Sequence, residues 1–422
     1  MVIRRRWILL GTCIVGLALL VSPRLWSRPV ATAVDPFCVL IALPTNSFTS
    51  VPDPAELGRR DLFGAANATI NVTYGSGFTA FPNAQAAFQH AVDIWKTQVT
   101  SLVPIAVQAD FSANLGSGVL GSAGFTWFAR SFTNAPVANT WFPGPIVNAL
   151  TGSAGFFSPD ISANFSSTFS NWYFGTDGLT PAGKYDFVSV VLHELGHGLG
   201  FAGSMSDTGG VGSWGYTSGQ TDQTYPLIYD RFVANGSGQS LIDTTLFAND
   251  SLALGTQLTS NNVYWNGARA VALNRNVPPR LYAPATWSSG SSIAHLDDAT
   301  YPAGDINSLM THAIGMAEAI HDPGPIMRGM LQDSGWTLAL GCTYALSASA
   351  ATIAQAGGTG MASVTPSSST CGWTATSNAS WITVTAGGSG TGTGTVTYSV
   401  AANSGPTRTG TLTIAGATLT VT

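Results

Sequence analysis

The sequence predicts an α+β domain followed by a separate all-β sandwich. Three observations carry this. An amphipathic helix near residues 83–99 lies among alternating strand-like segments. An apolar run then leads into a second helix, at residues 187–200. From Cys342 onward, histidine disappears and short Thr/Val/Ser alternations separated by Gly/Ser turns take over.

The N-terminus reads as an export signal. Arg4, Arg5 and Arg6 form a positive start, Trp7 to Val21 an apolar stretch, and Ala31-Thr32-Ala33 a small-x-small cleavage site. Fifteen apolar residues are short for a membrane span, which needs about 20. The expected order is therefore a signal peptide (1–33), an α+β domain (34–340) and a β-sandwich (341–422), with a secreted bacterial product. Leu10-Gly11-Thr12-Cys13 resembles a lipoprotein box only weakly, because apolar residues continue past it. Loss of residues 1–33 leaves 11 basic against 21 acidic side chains, which argues against a nucleic-acid surface. No later stretch is long and apolar enough to span a membrane.

Within the first domain, residues 34–80 read as mostly irregular, with Pro36, Pro44, Pro52 and Pro54, and with Ala68 to Tyr74 as a strand. Asn83 is expected to cap a helix whose apolar residues are Ala87, Phe88, Ala91, Ile94 and Trp95. Pro104 to Phe111 reads as a strand, 112–124 as a Gly/Ser loop, Thr126 to Phe132 as a strand, and Asp160 to Phe169 as an alternating strand. Residues 202–292 are long and Gly/Ser/Asn-rich, with ordered pieces at Tyr225 to Ala234, read as helical, and at Asn262 to Trp265. A last helix is expected from Pro325 to Ser334. Asp297, Asp298, Asp305, Asp322 and Asp333 are too spread to form a calcium loop.

The chemistry concentrates in Val190 to Phe201, which reads VVLHELGHGLGF. His193 and His197 are two of only six histidines. Four residues apart on a helix, they share one face and can hold one metal ion. Glu194 follows His193 about 100° round the helix, beside such an ion and not on it. This is the H-E-x-x-H pattern of zinc peptidases, two ligands and a general base for water. Gly196, Gly198 and Gly200 are poor helix formers at about 1 kcal/mol each against alanine, so they need a reason. Close packing at a metal and an abrupt helix stop at Gly200 supply one.

A catalytic zinc takes three protein ligands and keeps one open position. The extended motif H-E-x-x-H-x-x-G-x-x-H would place a third histidine at 203, where this chain has Gly203. The candidates are His90, His295, His312, His321, Asp207 and Asp297. His295 is the expected ligand, 15 residues before Met310. Asp297 competes with it, as ligand or as an acceptor orienting His295; His312 is a further candidate. On this account residues 202–292 are an insertion between the second and third ligands.

His193 to Phe201, Ser291 to Asp297, Leu309-Met310 and Met330 to Trp336 together resemble a bacterial secreted zincin-like metalloprotease family, related in style to matrixins. The resemblance covers about residues 60–340. It implies a metzincin-like fold with a twisted mixed sheet, an active-site helix and a Met-turn beneath Zn²⁺. It also implies that Asp160 to Phe169 is the edge strand that pairs with an extended peptide substrate. Cys371 to Val384, CGWTATSNASWITV, resembles a BACON domain. That resemblance implies an Ig-like sandwich whose partner is carbohydrate or mucin, although fold alone leaves an inert spacer equally open. Trp373 and Trp381 are expected in its core.

The expectations are thus a zinc endopeptidase with Glu194 as base and His193, His197 and His295 as ligands, acting on protein or peptide. The competing reading is an exported binding protein with a structural metal site. Cys342 and Cys371 could pair in an oxidising compartment, which leaves Cys38 single. Cys38 invites comparison with a thiolate that caps zinc, but Asp35-Pro36-Phe37 lacks the basic residues expected of that device.

Overall fold

The computed structural model describes residues 38–54, 68–155, 157–217, 223–338, 344–366 and 371–422. The expected signal peptide, its expected cleavage site and Cys342 lie outside the described residues. Among those described, strands far outnumber helices, and no helix is long and apolar enough to cross a membrane.

The N-terminal unit is built on β1 (Cys38–Val51), β2 (Ile70–Tyr74), α1 (Ala84–Gln98), β3 (Ile105–Ser112), β4 (Val119–Phe125), α2 (Gly144–Thr151), β5 (Ile161–Ser166), α3 (Phe187–Gly198), β6 (Ala313–Ile320) and α4 (Gly324–Asp333). Six strands form one sheet in the order β6-β1-β4-β5-β3-β2. All neighbours are parallel except at β4, which runs antiparallel to both β1 and β5. β3 alternates buried and half-buried residues along its length, the period of two expected of a strand with one face on the core. α1 buries Ala87, Phe88, Ala91, Ile94 and Trp95, the predicted stripe. Asn83 stands at its N-cap, but the side chain makes no capping bond.

α3 packs on β4, β5 and β1, and on α1. All twelve of its residues are buried, which explains its continuous apolar character. Trp95 Nε1 on α1 donates to the Leu192 carbonyl at 2.9 Å. At the start of α3, Asp186 accepts from the Ser189 amide at 2.7 Å and from His321 Nε2 at 2.9 Å. The cap thereby ties the helix to the end of β6.

Four local expectations need correction. Residues 38–51, read as irregular, form a sheet strand despite Pro44; register shifts near Asn46 absorb the interruption. Residues 112–124, read as loop, contain β4, whose glycines hide a fully buried strand. Of Thr126 to Phe132, only Phe128–Ala129 is extended. The supposed helix from Tyr225 to Ala234 is a 3₁₀ turn, Tyr229–Phe232, between short strands.

The implied role of Asp160 to Phe169 also changes. β5 is interior, hydrogen-bonded to β3 on one side and β4 on the other, and so presents no free edge.

Residues 344–422 form a sandwich of two mainly antiparallel sheets, of four and five strands. Its core includes Val364, Trp373, Ile382, Val396, Tyr398 and Leu412. Trp373 is buried and donates from Nε1 to the Gly392 carbonyl at 2.8 Å. Trp381 is only partly buried, with the Arg408 guanidinium 4.2 Å from its ring centroid. Cys371 is disulfide-bonded.

Candidate metal centre

α3 carries His193, Glu194 and His197 in its last two turns. The helix then stops in a Schellman arrangement: the Gly200 amide bonds the His197 carbonyl at 3.0 Å, and the Phe201 amide bonds the Gly196 carbonyl at 3.1 Å. Gly200 has φ +116, a conformation that favours glycine. The turn delivers the Phe201 carbonyl to His197 Nδ1 at 2.7 Å. The other glycines serve packing. A Cβ on Gly198 would lie 2.4 Å from Ile161 Cγ2, and one on Gly196 3.0 Å from Met310 Sδ.

His295 arrives from the far end of the 202–292 segment. Its loop is held by the Leu296 amide bonding the Met310 carbonyl at 2.8 Å, and by Tyr229 Oη donating to the Ile293 carbonyl at 2.8 Å. Ile293 itself has φ +66, a rare and costly conformation for a β-branched residue, set directly before Ala294 and His295.

The three imidazoles converge. Nε2 of His197 lies 2.9 Å from Nε2 of His193 and 3.2 Å from that of His295; the third separation is 3.3 Å. Each Nδ1 faces a carbonyl: Leu309 at 2.6 Å, Phe201 at 2.7 Å and Ser291 at 2.8 Å, for His193, His197 and His295 respectively. A carbonyl only accepts, so each Nδ1 carries the proton of a neutral ring, and each Nε2 presents a lone pair. Three lone pairs aimed at one point repel one another unless a cation lies between them. The donor set therefore fits a metal ion, and a borderline-soft divalent ion such as zinc suits three imidazoles. Among the described residues these three histidines are the group able to hold a metal.

Electrostatics agree with neutral ligands. Burial, opposed by the bond to Leu309, lowers His193 to about 4. Burial first, then the neighbouring imidazoles, hold His197 and His295 well below the usual range. Glu194 is fully buried, and burial raises its carboxyl well above the ordinary value. Among the described residues neither oxygen has a partner in good hydrogen-bond geometry, and the Leu40 and Ala123 amides lie close enough to oppose the rise. β4 approaches it through Gly121, where a Cβ would stand 3.0 Å from Glu194 Cγ.

The other candidates go elsewhere. Asp297 bonds the Thr300 amide and hydroxyl, not His295. His312 bonds Asp298 at 2.5 Å and stacks on Tyr282. His90 and His321 pack together, centroids 5.7 Å apart. Asp207 accepts from the Gly210 amide. At Gly203 a Cβ would meet Asp230 Oδ1 at 2.9 Å and Tyr229 Cδ1 at 3.0 Å, so the 202–292 segment occupies the space of the motif's usual third side chain. Sequence reading missed the three orienting carbonyls. The glycine turn signalled the one at Phe201; nothing local signalled Ser291.

Residues 372–422 match the BACON family, described as a putative binding domain, N-terminal. Comparison with curated proteins and with solved structures finds no match.

Proposed function

We propose that the chain is an exported zinc-dependent endopeptidase with a metzincin-like catalytic domain. The observation that carries this is the convergence of three neutral imidazoles, each fixed by a carbonyl at Nδ1, beside a fully buried glutamate. A structural zinc has no use for such a carboxylate. The mixed sheet with one antiparallel strand next to the site helix also supports the reading.

His193, His197 and His295 would hold the ion. Zinc bound there supplies Lewis acidity, making water more acidic and a carbonyl more electrophilic. Glu194 takes the proton from the attacking water and later gives it to the leaving nitrogen. Met310 packs under the helix at Gly196, and Leu309 orients His193, so the 308–310 turn fixes the floor of the site.

For residues 341–422 we propose attachment to carbohydrate or mucin, which the described binding character of the matched family supports. The test of the first proposal is cleavage of casein or gelatin by the purified chain, abolished by chelation and restored by zinc. Zinc-loaded, folded protein without cleavage would reject it. Glycan binding by residues 341–422 is assayed separately.

A further inference from the structure

His193, Glu194, His197 and His295 are all at most 1% exposed, so what lies beside them decides which substrate is admitted. A cavity of about 330 Å³ opens there. Ser292 and Ala294 line it, on the stretch that leads into His295 and whose Ser291 carbonyl orients that ring. Cys38 lines it too. Burial first, and then the nearby Glu194 carboxylate, push the Cys38 thiol up, which puts the cavity within electrostatic reach of the base. A further wall comes from the hairpin of Ser206–Thr208 and Val211–Ser213, with Ser204 before it and Tyr216 after it. These residues belong to the segment between Gly200 and His295, so the cavity is a product of the long connection that separates the second and third histidines.

Its size and chemistry are specific. The volume falls in the range of small-molecule sites, above about 300 Å³, and exceeds what one amino-acid side chain fills. No lining residue carries a charge. Asp230, behind Ser204, is taken up by the Ser204 amide and hydroxyl and by the Leu227 amide. A charged group entering here would lose hydration and find no counter-charge. Hydroxyls are dense instead: five of the lining residues are Ser204, Ser206, Ser213, Ser289 and Ser292. Ser206 and Ser213 share one hydrogen bond at 2.8 Å, which leaves a hydroxyl hydrogen and lone pairs for a ligand. Ser292 Oγ accepts from the Ser288 amide at 2.9 Å and keeps its own hydrogen to give. Trp287 packs on the core yet stays half-buried, and offers ring surface to the cavity. A pyranose matches this combination. Its rim of hydroxyls suits the serines, and its face of C–H groups suits the negative face of an indole.

We propose that this cavity holds a neutral sugar carried on a serine or threonine of the substrate, so that the chain cuts O-glycosylated polypeptide beside the glycan. The single bridging oxygen of that linkage keeps the sugar next to its backbone, and the stretch that lines the cavity runs straight on to His295. This inference rests on the zinc-peptidase reading above and names its substrate class.

The test uses the zinc-loaded full chain and two peptides of identical sequence with one threonine, either bare or carrying a single N-acetylgalactosamine. Cuts are located by mass spectrometry. The glycopeptide should be cut with a kcat/KM at least tenfold higher, at a bond flanking the modified threonine, and Trp287→Ala should bring the ratio close to unity. Binding is read separately, by calorimetry on the zinc-loaded Glu194→Gln chain, which should take the glycopeptide at least tenfold more tightly than the bare peptide. Equal cleavage and equal binding of the two peptides would overturn the inference and leave the peptidase standing. Selective binding that Trp287→Ala abolishes, with no cleavage of either peptide by the wild type, keeps the sugar site and rejects the peptidase. If Trp287→Ala fails to fold, Ser289→Trp decides: from an exposed position on the rim it fills the cavity, and a preference that survives it would contradict the assignment.

Discussion

His197 Nε2 lies 3.2 Å from His295 Nε2, although 98 residues separate them in sequence. Both rings are buried and neutral, and both present lone pairs to the same point. A long segment is thus folded so that its far end completes what α3 begins. The consequences can be measured residue by residue.

Glu194→Gln keeps the size of the side chain and removes its capacity to take a proton. Proteolysis should fall by about 10²–10⁴-fold, the usual range for losing a general acid–base group. Zinc content should stay at the wild-type level. Zinc lost together with activity would make Glu194 part of the metal's support instead.

Gly203→His restores the residue that the extended motif would have at this position, yet it should not restore a ligand. Its Cβ would meet Asp230 and Tyr229 at about 3 Å. The expected result is a loss of about 1–3 kcal/mol in denaturant unfolding, as for other overpacked sites. In a His295→Ala background the substitution should leave zinc binding unrepaired.

Asp230 is buried against Ser204 and Leu227, and burial raises it to about 6 from an ordinary 3.8. An acid whose native value is raised favours the fold in its protonated form. That contribution is present below about 3.8 and is lost as pH climbs through about 6. Asp230→Asn removes this titration. Measured by urea unfolding at pH 4 and pH 7, the variant should gain on the wild type at the higher pH, by of order 3 kcal/mol. A difference that does not change with pH would refute the assignment.

Trp373→Ala should unfold the sandwich and spare the metal. The indole fills the core so closely that a Cβ on Gly390 or Gly394 would lie 2.4 Å from its ring. Truncating a buried Trp costs about 3–5 kcal/mol. Calorimetry should lose the transition of residues 344–422 while zinc content stays constant.

Much of this site was legible because it is local. The i, i+4 spacing of His193 and His197, the adjacent Glu194 and the stop at Gly200 all lie within one helix and its cap. His295 could be singled out because histidine is scarce and Met310 follows at a suggestive distance. What could not be read depends on pairing between distant strands. Gly121 and Gly124 weaken the strand signal of β4, although Gly121 is what lets β4 pass beside Glu194. Pro44 and Asn46 make Cys38–Val51 look irregular, whereas Ile41–Leu43 and Thr49–Val51 both pair with β6 across two register shifts, and Cys38–Ile41 pairs with β4 as well. The interior position of β5 follows from sheet order, which no alternation of Ile161, Ala163 and Phe165 encodes. The helical reading near Tyr229 failed because Asp230 bonds backward to the Leu227 amide and to Ser204, locking a short 3₁₀ turn.

The central claim is that His193, His197 and His295 hold one zinc ion together. It is tested most directly by metal analysis of the purified full chain and its His295→Ala variant, with zinc-edge X-ray absorption on the wild type. The account predicts one zinc per wild-type chain, with nitrogen neighbours at about 2.0–2.1 Å, and loss of that zinc in a variant that remains folded. Full zinc occupancy in His295→Ala would contradict it.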